Sequence, residues 1–131
     1  MIEALGEGVD DLAIGDHVVM VFVPSCGCCS PCAEGRPALC EPAAKANNAG
    51  EMLAGGRRIA RGGAPVHHHL GVSAFAERAV VSRRSLVKVP RDLPLVEAAL
   101  FGCAVLTGVG AVANTARIAP GASVADGRAH V

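Results

Sequence analysis

The sequence predicts an α+β chain, mainly β, in which short strands carry a cysteine lobe and helices gather toward the C-terminal end. Three observations lead there. The run His17-Val18-Val19-Met20-Val21-Phe22-Val23 is rich in β-branched residues and bounded by turn residues at both ends. Two further strand-like runs, Phe75–Val81 and Ser85–Val89, are joined by the polar Ser82-Arg83-Arg84. Beyond Pro94 the spacing turns helical, with Leu95, Ala98, Ala99 and Gly102 on one face.

Composition bounds the rest. A chain of 131 residues is long enough for one domain with a core. Lysine plus arginine equals aspartate plus glutamate, so the formal net charge is zero and no basic face for nucleic acid is implied. With three Phe and neither Trp nor Tyr, the core must come from Val, Leu, Ala and Ile, and sixteen glycines shape the turns. The charge-free run Ala98–Ala116 approaches the length of a bilayer helix. Its glycines at 102, 108 and 110 and its polar Thr107, Asn114 and Thr115 favour a buried, broken helical segment instead. A soluble, cytoplasmic protein with no membrane or nucleic-acid partner is expected, since no signal peptide opens the chain.

Taken in order, Gly6-Glu7-Gly8 and Asp10-Asp11 are turn chemistry, and Gly15-Asp16 leads into the first strand, which should be buried on both faces because it does not alternate. His17 at its start reads as a turn histidine. Glu41–Pro65 is Ala-, Gly- and Arg-rich with turn signals at Asn47-Asn48, Gly55-Gly56 and Gly62-Gly63. That stretch reads as a long surface loop with one short helix. Arg57, Arg58 and Arg61 read as a solvated basic face. His67-His68-His69 invites a metal reading, but in an extended segment the middle side chain points away from its neighbours. Pro90–Pro94 is a turn, with Asp92 or Pro94 able to start the helix Leu95–Phe101. Gly102-Cys103 interrupts, and a second helix is expected from about Thr107 to Arg117, closed by Pro120-Gly121. A strand is expected to begin at Ala122-Ser123-Val124-Ala125 and to give way to the polar Asp126–Val131.

The chemistry concentrates in Cys26-Gly27-Cys28-Cys29-Ser30-Pro31-Cys32, followed by Cys40, a C-x2-C-x2-C-x7-C spacing that holds five of the chain's six cysteines. Thiols two residues apart can grip one ion from a tight turn, and zinc takes four thiolates tetrahedrally. Such a closed shell leaves no position for substrate, so the reading is structural zinc on Cys26, Cys29, Cys32 and Cys40. Disulfides fit poorly with reduced surroundings. Iron–sulfur runs place their fourth cysteine three residues on and before proline, whereas Cys40 follows seven residues on and precedes Glu41. Cys28 is spare.

In this order the pieces resemble the zinc-dependent alcohol dehydrogenases of the medium-chain dehydrogenase/reductase superfamily. The anchors are Gly6-Glu7-Gly8-Val9, Gly15-Asp16-His17-Val18-Val19, the cysteine lobe, and the run from His67 through Leu70-Gly71-Val72-Ser73-Ala74-Phe75-Ala76-Glu77. Leu100-Phe101-Gly102-Cys103 and Thr107-Gly108-Val109-Gly110-Ala111 complete the set. The resemblance implies a partial GroES-like β-barrel at residues 1–100, with the zinc lobe at 24–42. Residues 101–131 would be an interdomain helix region and the aborted start of a Rossmann domain. It further implies NAD(P)-linked interconversion of alcohols with aldehydes or ketones at a second, catalytic zinc, where the metal favours the alkoxide. Cys103 matches the last ligand of that zinc, and Thr107 a residue close to the nicotinamide. Taken alone, Cys103 would be a small buried thiol at a helix break. The His67–Glu77 segment leans toward the branch holding liver-type and glutathione-dependent formaldehyde dehydrogenases.

Relative to that family the first catalytic cysteine, the Gly-His-Glu segment and the Gly-x-Gly-x-x-Gly of a nucleotide domain are not found in the sequence. The expectation is a fragment truncated at both ends that binds one structural zinc but neither the catalytic zinc nor NAD(P), and is inactive alone. Second is a lobe completing a split dehydrogenase; third, a free-standing zinc-binding interaction module. An unpaired edge along Val18–Val23 and exposed Val109 and Val112 on the second helix should favour self-association, or docking of the missing segments.

Overall fold

The computed structural model describes residues 1–125, and Asp126–Val131 lie outside the described residues. Two small antiparallel sheets and a set of short helices make up the chain. Strand β1 (His17–Met20) pairs with β4 (Leu86–Val89), His17 lying opposite Val89 and Met20 opposite Leu86. Between them in the sequence, β2 (Ile59–Arg61) and β3 (Ala64–Val66) form a hairpin of their own.

The first strand stops three residues short of Val23. Its last sheet bond is Val21 N–H to the Ser85 carbonyl, 2.8 Å, after which the partner chain bends away through a short 3-10 turn capped by the Ser82 hydroxyl. A strand holds its extended form only where a neighbour takes its backbone bonds. Nor is it buried on both faces: Val19 is covered, whereas Met20 and Phe22 are exposed. β1 has β4 as its sole sheet neighbour among the described residues, which leaves the other edge open as expected.

The same rule removes two expected strands. Phe75–Val81 has no neighbouring strand and runs as bends and coil with Phe75 fully in solvent, and Ala122–Ala125 is coil as well. The loop Glu41–Pro65 is more ordered than its composition suggests. Helix α2 (Glu41–Ala49) follows a one-turn α1 (Ser30–Ala33), has Pro42 in its first turn and ends at Gly50 with φ +64°. The β2–β3 turn is Gly62-Gly63, φ +58° and +81°, the left-handed pair that a tight hairpin requires.

Helix α3 (Leu95–Ala98) starts from Pro94 and tightens into a 3-10 turn, Ala99–Gly102. Cys103 breaks the run in a conformation that is neither helical nor extended, φ −148° and ψ −63°, and α4 (Ala104–Gly110) restarts three residues earlier than Thr107. A π-turn over Ala111–Thr115 continues it, and Arg117, with φ +50°, ends it before Pro120-Gly121. The two helical pieces are bent by 53°. No single helix is long and apolar enough to cross a membrane, although the bent pair would pass jointly by length and composition.

Small apolar groups close the interior: Leu12, Val19, Ala43, Met52, Val72 and Ala98 are buried. Leu100, Phe101, Leu106, Val109 and Val112 are not, so the C-terminal helices carry an uncovered apolar face, as the sequence led us to expect.

The buried charge of the fold is Asp16, 2% exposed. Its carboxylate accepts the Ala13 N–H (2.9 Å), the Lys88 ammonium (2.7 Å) and the Arg91 guanidinium (3.2 Å). Its carbonyl takes the Ile2 N–H. The group therefore fastens the N-terminal turns to β4 and the loop after it. Lys88, then the Ala13 N–H, hold the carboxyl well below the usual range, at about 2. A depressed folded-state value stabilises the fold above the unfolded value of 3.8 and is lost as pH falls toward about 2. Asp16→Asn should thus lower the thermal midpoint near neutrality, with the gap to the wild type closing across that acid window. A gap independent of pH would contradict the assignment.

Candidate metal centre

Local geometry explains how one lobe presents four sulfurs to one point. The chain leaves β1 through the fully buried Pro24, and Gly27 (φ +79°) reverses it between the first two cysteines. Cys29 precedes α1 and Cys32 lies inside that single turn, whose Pro31 fixes the backbone at its start. A 3-10 turn, Pro37–Leu39, returns the chain so that Cys40 caps the start of α2 and is completely buried. The Sγ atoms of Cys26, Cys29, Cys32 and Cys40 all lie within 4.8 Å of one another.

That spacing fits a tetrahedral ion. Zn–S bonds of about 2.3 Å place the sulfurs about 3.8 Å apart, inside the observed limit. Backbone donors support the same reading: Cys29 N–H donates to Cys26 Sγ and Cys26 N–H to Cys40 Sγ, both at 3.3 Å. Such bonds favour the anionic sulfur. The amides of Cys28 and Cys29 draw the Cys26 thiol down to about 6, whereas burial pushes Cys32 up to about 12. One sulfur is thus ready as thiolate, and another would ionise only as a cation replaces its proton, so metal affinity must fall in acid. When bound, zinc on this set would supply a closed structural tie and no reactive position.

Cys28 is exposed, outside the quartet, with its thiol donating to Cys26 Sγ at 3.7 Å. Opposite it, the Arg84 guanidinium covers the loop so closely that a Cβ on Gly27 would stand 2.6 Å from its nitrogen. Nothing in the sequence linked Arg84 to the lobe.

The histidine run divides as the alternation predicted. His67 and His69 are exposed, whereas His68 is buried between them. His68 Nε2 accepts the Arg58 N–H at 2.9 Å and Nδ1 faces Ser73 Oγ at 3.5 Å, so its ring ties the hairpin to the following turn. With Nε2 occupied by an amide, it has no lone pair left to serve a metal or a serine base. His67 lies against Gly50, where a Cβ would be 2.5 Å from the ring.

Cys103 and Thr107 stand one helical turn apart, Thr107 N–H donating to the Cys103 carbonyl at 2.9 Å. Cys103 is exposed at the helix break, not buried as a lone thiol there would be. No second group of three or more His, Cys, Asp or Glu donors converges among the described residues, so the residues present do not fit a catalytic zinc around it.

What places Cys103 is its neighbour. Gly102 sits on β1 so tightly that a Cβ would lie 2.5 Å from the Met20 carbonyl oxygen and 3.5 Å from a Val19 methyl. Beside this contact, Val19, Val21, Val87, Val89, Phe101 and Leu106 line an apolar groove of about 340 Å³.

Two antiparallel sheets carrying a four-cysteine lobe, with a broken helix laid over the open strand, define a cysteine-lobe domain of the GroES-like class. Residues 1–91 match the alcohol dehydrogenase GroES-like domain. The chain belongs to that family. It is 38% identical over 125 residues to the class-3 alcohol dehydrogenase of Drosophila melanogaster, covering 95% of this chain and 33% of the relative. To an S-(hydroxymethyl)glutathione dehydrogenase of Escherichia coli O1:K1 / APEC it is 40% identical over 121 residues, 92% of this chain and 33% of that one. Among solved structures it is similar to an alcohol dehydrogenase zinc-binding domain protein from Burkholderia ambifaria (TM-score 0.72, 38% identity, 86% of this chain and 31% of that one). Benzyl alcohol dehydrogenase from Acinetobacter calcoaceticus is similar too (TM-score 0.74, 33% identity, 92% and 32%). The chain spans about a third of the length of these relatives.

Gly102→Ala should force the helix carrying Cys103 off β1 and destabilise the fold by about 1–3 kcal/mol, the usual range for overpacking. Chemical denaturation measures this; an unchanged midpoint would show that the contact is not tight.

Proposed function

We propose that this chain is a dehydrogenase lobe that binds one structural zinc through Cys26, Cys29, Cys32 and Cys40, and does not transfer hydride by itself. The convergence of four thiols within 4.8 Å is the observation that carries the reading. Family membership supplies the class of reaction to which the lobe belongs, oxidation of alcohols with NAD(P).

On this reading Cys103 is a remnant ligand of the catalytic zinc and Thr107 a remnant neighbour of the nicotinamide. A single ligand cannot hold the metal, and the sequence has no Gly-x-Gly-x-x-Gly to seat the cofactor's pyrophosphate. Holding reactants in register contributes on the order of 7–11 kcal/mol to such chemistry, so the deficit removes turnover altogether. On the same reading residues 1–100 belong to a partial catalytic domain, and 101–131 to an interdomain helix region with the aborted start of a nucleotide-binding domain.

A second reading, a lobe that completes a dehydrogenase assembled from separate chains, is favoured by the apolar groove beside Gly102 and by the uncovered α4. Its mark is co-purification with a polypeptide that carries a Gly-His-Glu segment or a glycine-rich nucleotide turn.

Metal analysis of the purified chain should give one zinc per chain, with no reduction of NAD when a primary alcohol is added. Two zincs, or turnover, would overturn the proposal. A chelator should lower the thermal midpoint sharply, since zinc on thiolates contributes roughly 10–16 kcal/mol in small domains near neutral pH.

A further inference from the structure

The lobe offers five thiols for four coordination positions, and the fifth is placed to react. Cys28 is exposed, lies one residue from each of Gly27 and Cys29, and its sulfur touches that of Cys26 at 3.7 Å. Cys40, by contrast, is wholly buried, and Cys29 and Cys32 are half-buried. A solvent oxidant therefore meets Cys28 first.

We propose that Cys28 is an oxidation site that couples peroxide to release of the structural metal through a Cys26–Cys28 disulfide. This rests on the reading of the quartet as a zinc site. In the first step Cys28 sulfur attacks a peroxide: its S–O bond forms, the O–O bond breaks, and the sulfur loses two electrons to give a sulfenic acid and an alcohol, or water from hydrogen peroxide. In the second, Cys26 thiolate attacks the sulfenic sulfur. An S–S bond forms, the S–O bond breaks, and the departing hydroxide takes up one proton as water. Cys26 can no longer serve as a ligand, and the three thiols left behind hold the ion far less tightly. A thiol reductant with added zinc reverses the sequence by returning two electrons to the disulfide.

Cys103, also exposed, has no neighbouring thiol among the described residues, so within the wild type it supplies an internal comparison for oxidation without metal loss.

The test uses the full zinc-loaded chain, hydrogen peroxide, and a chromogenic chelator present as reporter, with peptide mapping of the products. Zinc release should be several-fold slower in Cys28→Ser than in the wild type. In the wild type, each zinc released should match one Cys26–Cys28 disulfide. Both proteins are first assayed for bound zinc. If neither holds zinc, the metal reading fails, and this inference with it. If both hold one zinc and release it at equal rates, or mapping places the disulfide elsewhere, the inference alone is overturned. Zinc lost on making Cys28→Ser, before any oxidant, would show Cys28 to be a ligand and would equally overturn it.

Discussion

Four sulfurs brought to one point are the constraint on which the rest of the lobe depends. Between Pro24 and α2 the chain makes only a single α-turn and a single 3-10 turn, too little regular structure to hold a loop by backbone bonds alone. Its apolar contribution is also small, since Leu39 is exposed and Cys40 is the buried residue of the segment. What remains is the thiol quartet with its N–H···S bonds, and an ion there would join β1, α1 and the start of α2 through one centre. The segment folds around chemistry because it has little hydrophobic surface to fold around.

Elsewhere the fold is tied by a few polar anchors rather than by a large core. Asp16 fastens the N-terminal turns to β4, His68 fastens the hairpin to the turn that follows it, and Asn47 donates from α2 to the Phe22 carbonyl. Each joins separate segments, Asp16 reaching Lys88 and Arg91, His68 reaching Arg58, and Asn47 reaching Phe22. The apolar residues that would ordinarily share this work, Phe101, Leu106, Val109 and Val112 among them, face outward. These anchors hold the domain internally, while the apolar helix face has no cover within the described residues.

Much of the site was legible beforehand because its signal is local. The C-x2-C-x2-C-x7-C spacing, the glycine and proline bends and the position of Cys40 before a helix are all read within fifteen residues. The alternation of the histidines likewise placed His68 away from its neighbours, and Gly102-Cys103 marked the helix break. Strands were read less well. His17–Val23 carries four valines in seven residues against two in Phe75–Val81 and one in Ala122–Ala125, yet even there only the first four residues are strand. The hairpin about Gly62-Gly63 was missed although its turn residues were noted, because Ile59–Arg61 and Ala64–Val66 are too short to show a period.

The amino-acid sequence by itself determined which four thiols converge, the turns that bend around them and the helical character of the C-terminal stretch. These depend on residue type and spacing over a few positions, which steric limits on the backbone translate directly into shape. Only the tertiary structure decided which strand candidates found partners, that Asp16 would be buried between Lys88 and Arg91, that Arg84 would lie over Gly27, and that Gly102 would press on Met20. Those outcomes rest on contacts between segments tens of residues apart, and a strand or a buried charge is stable only when the distant group that completes it arrives.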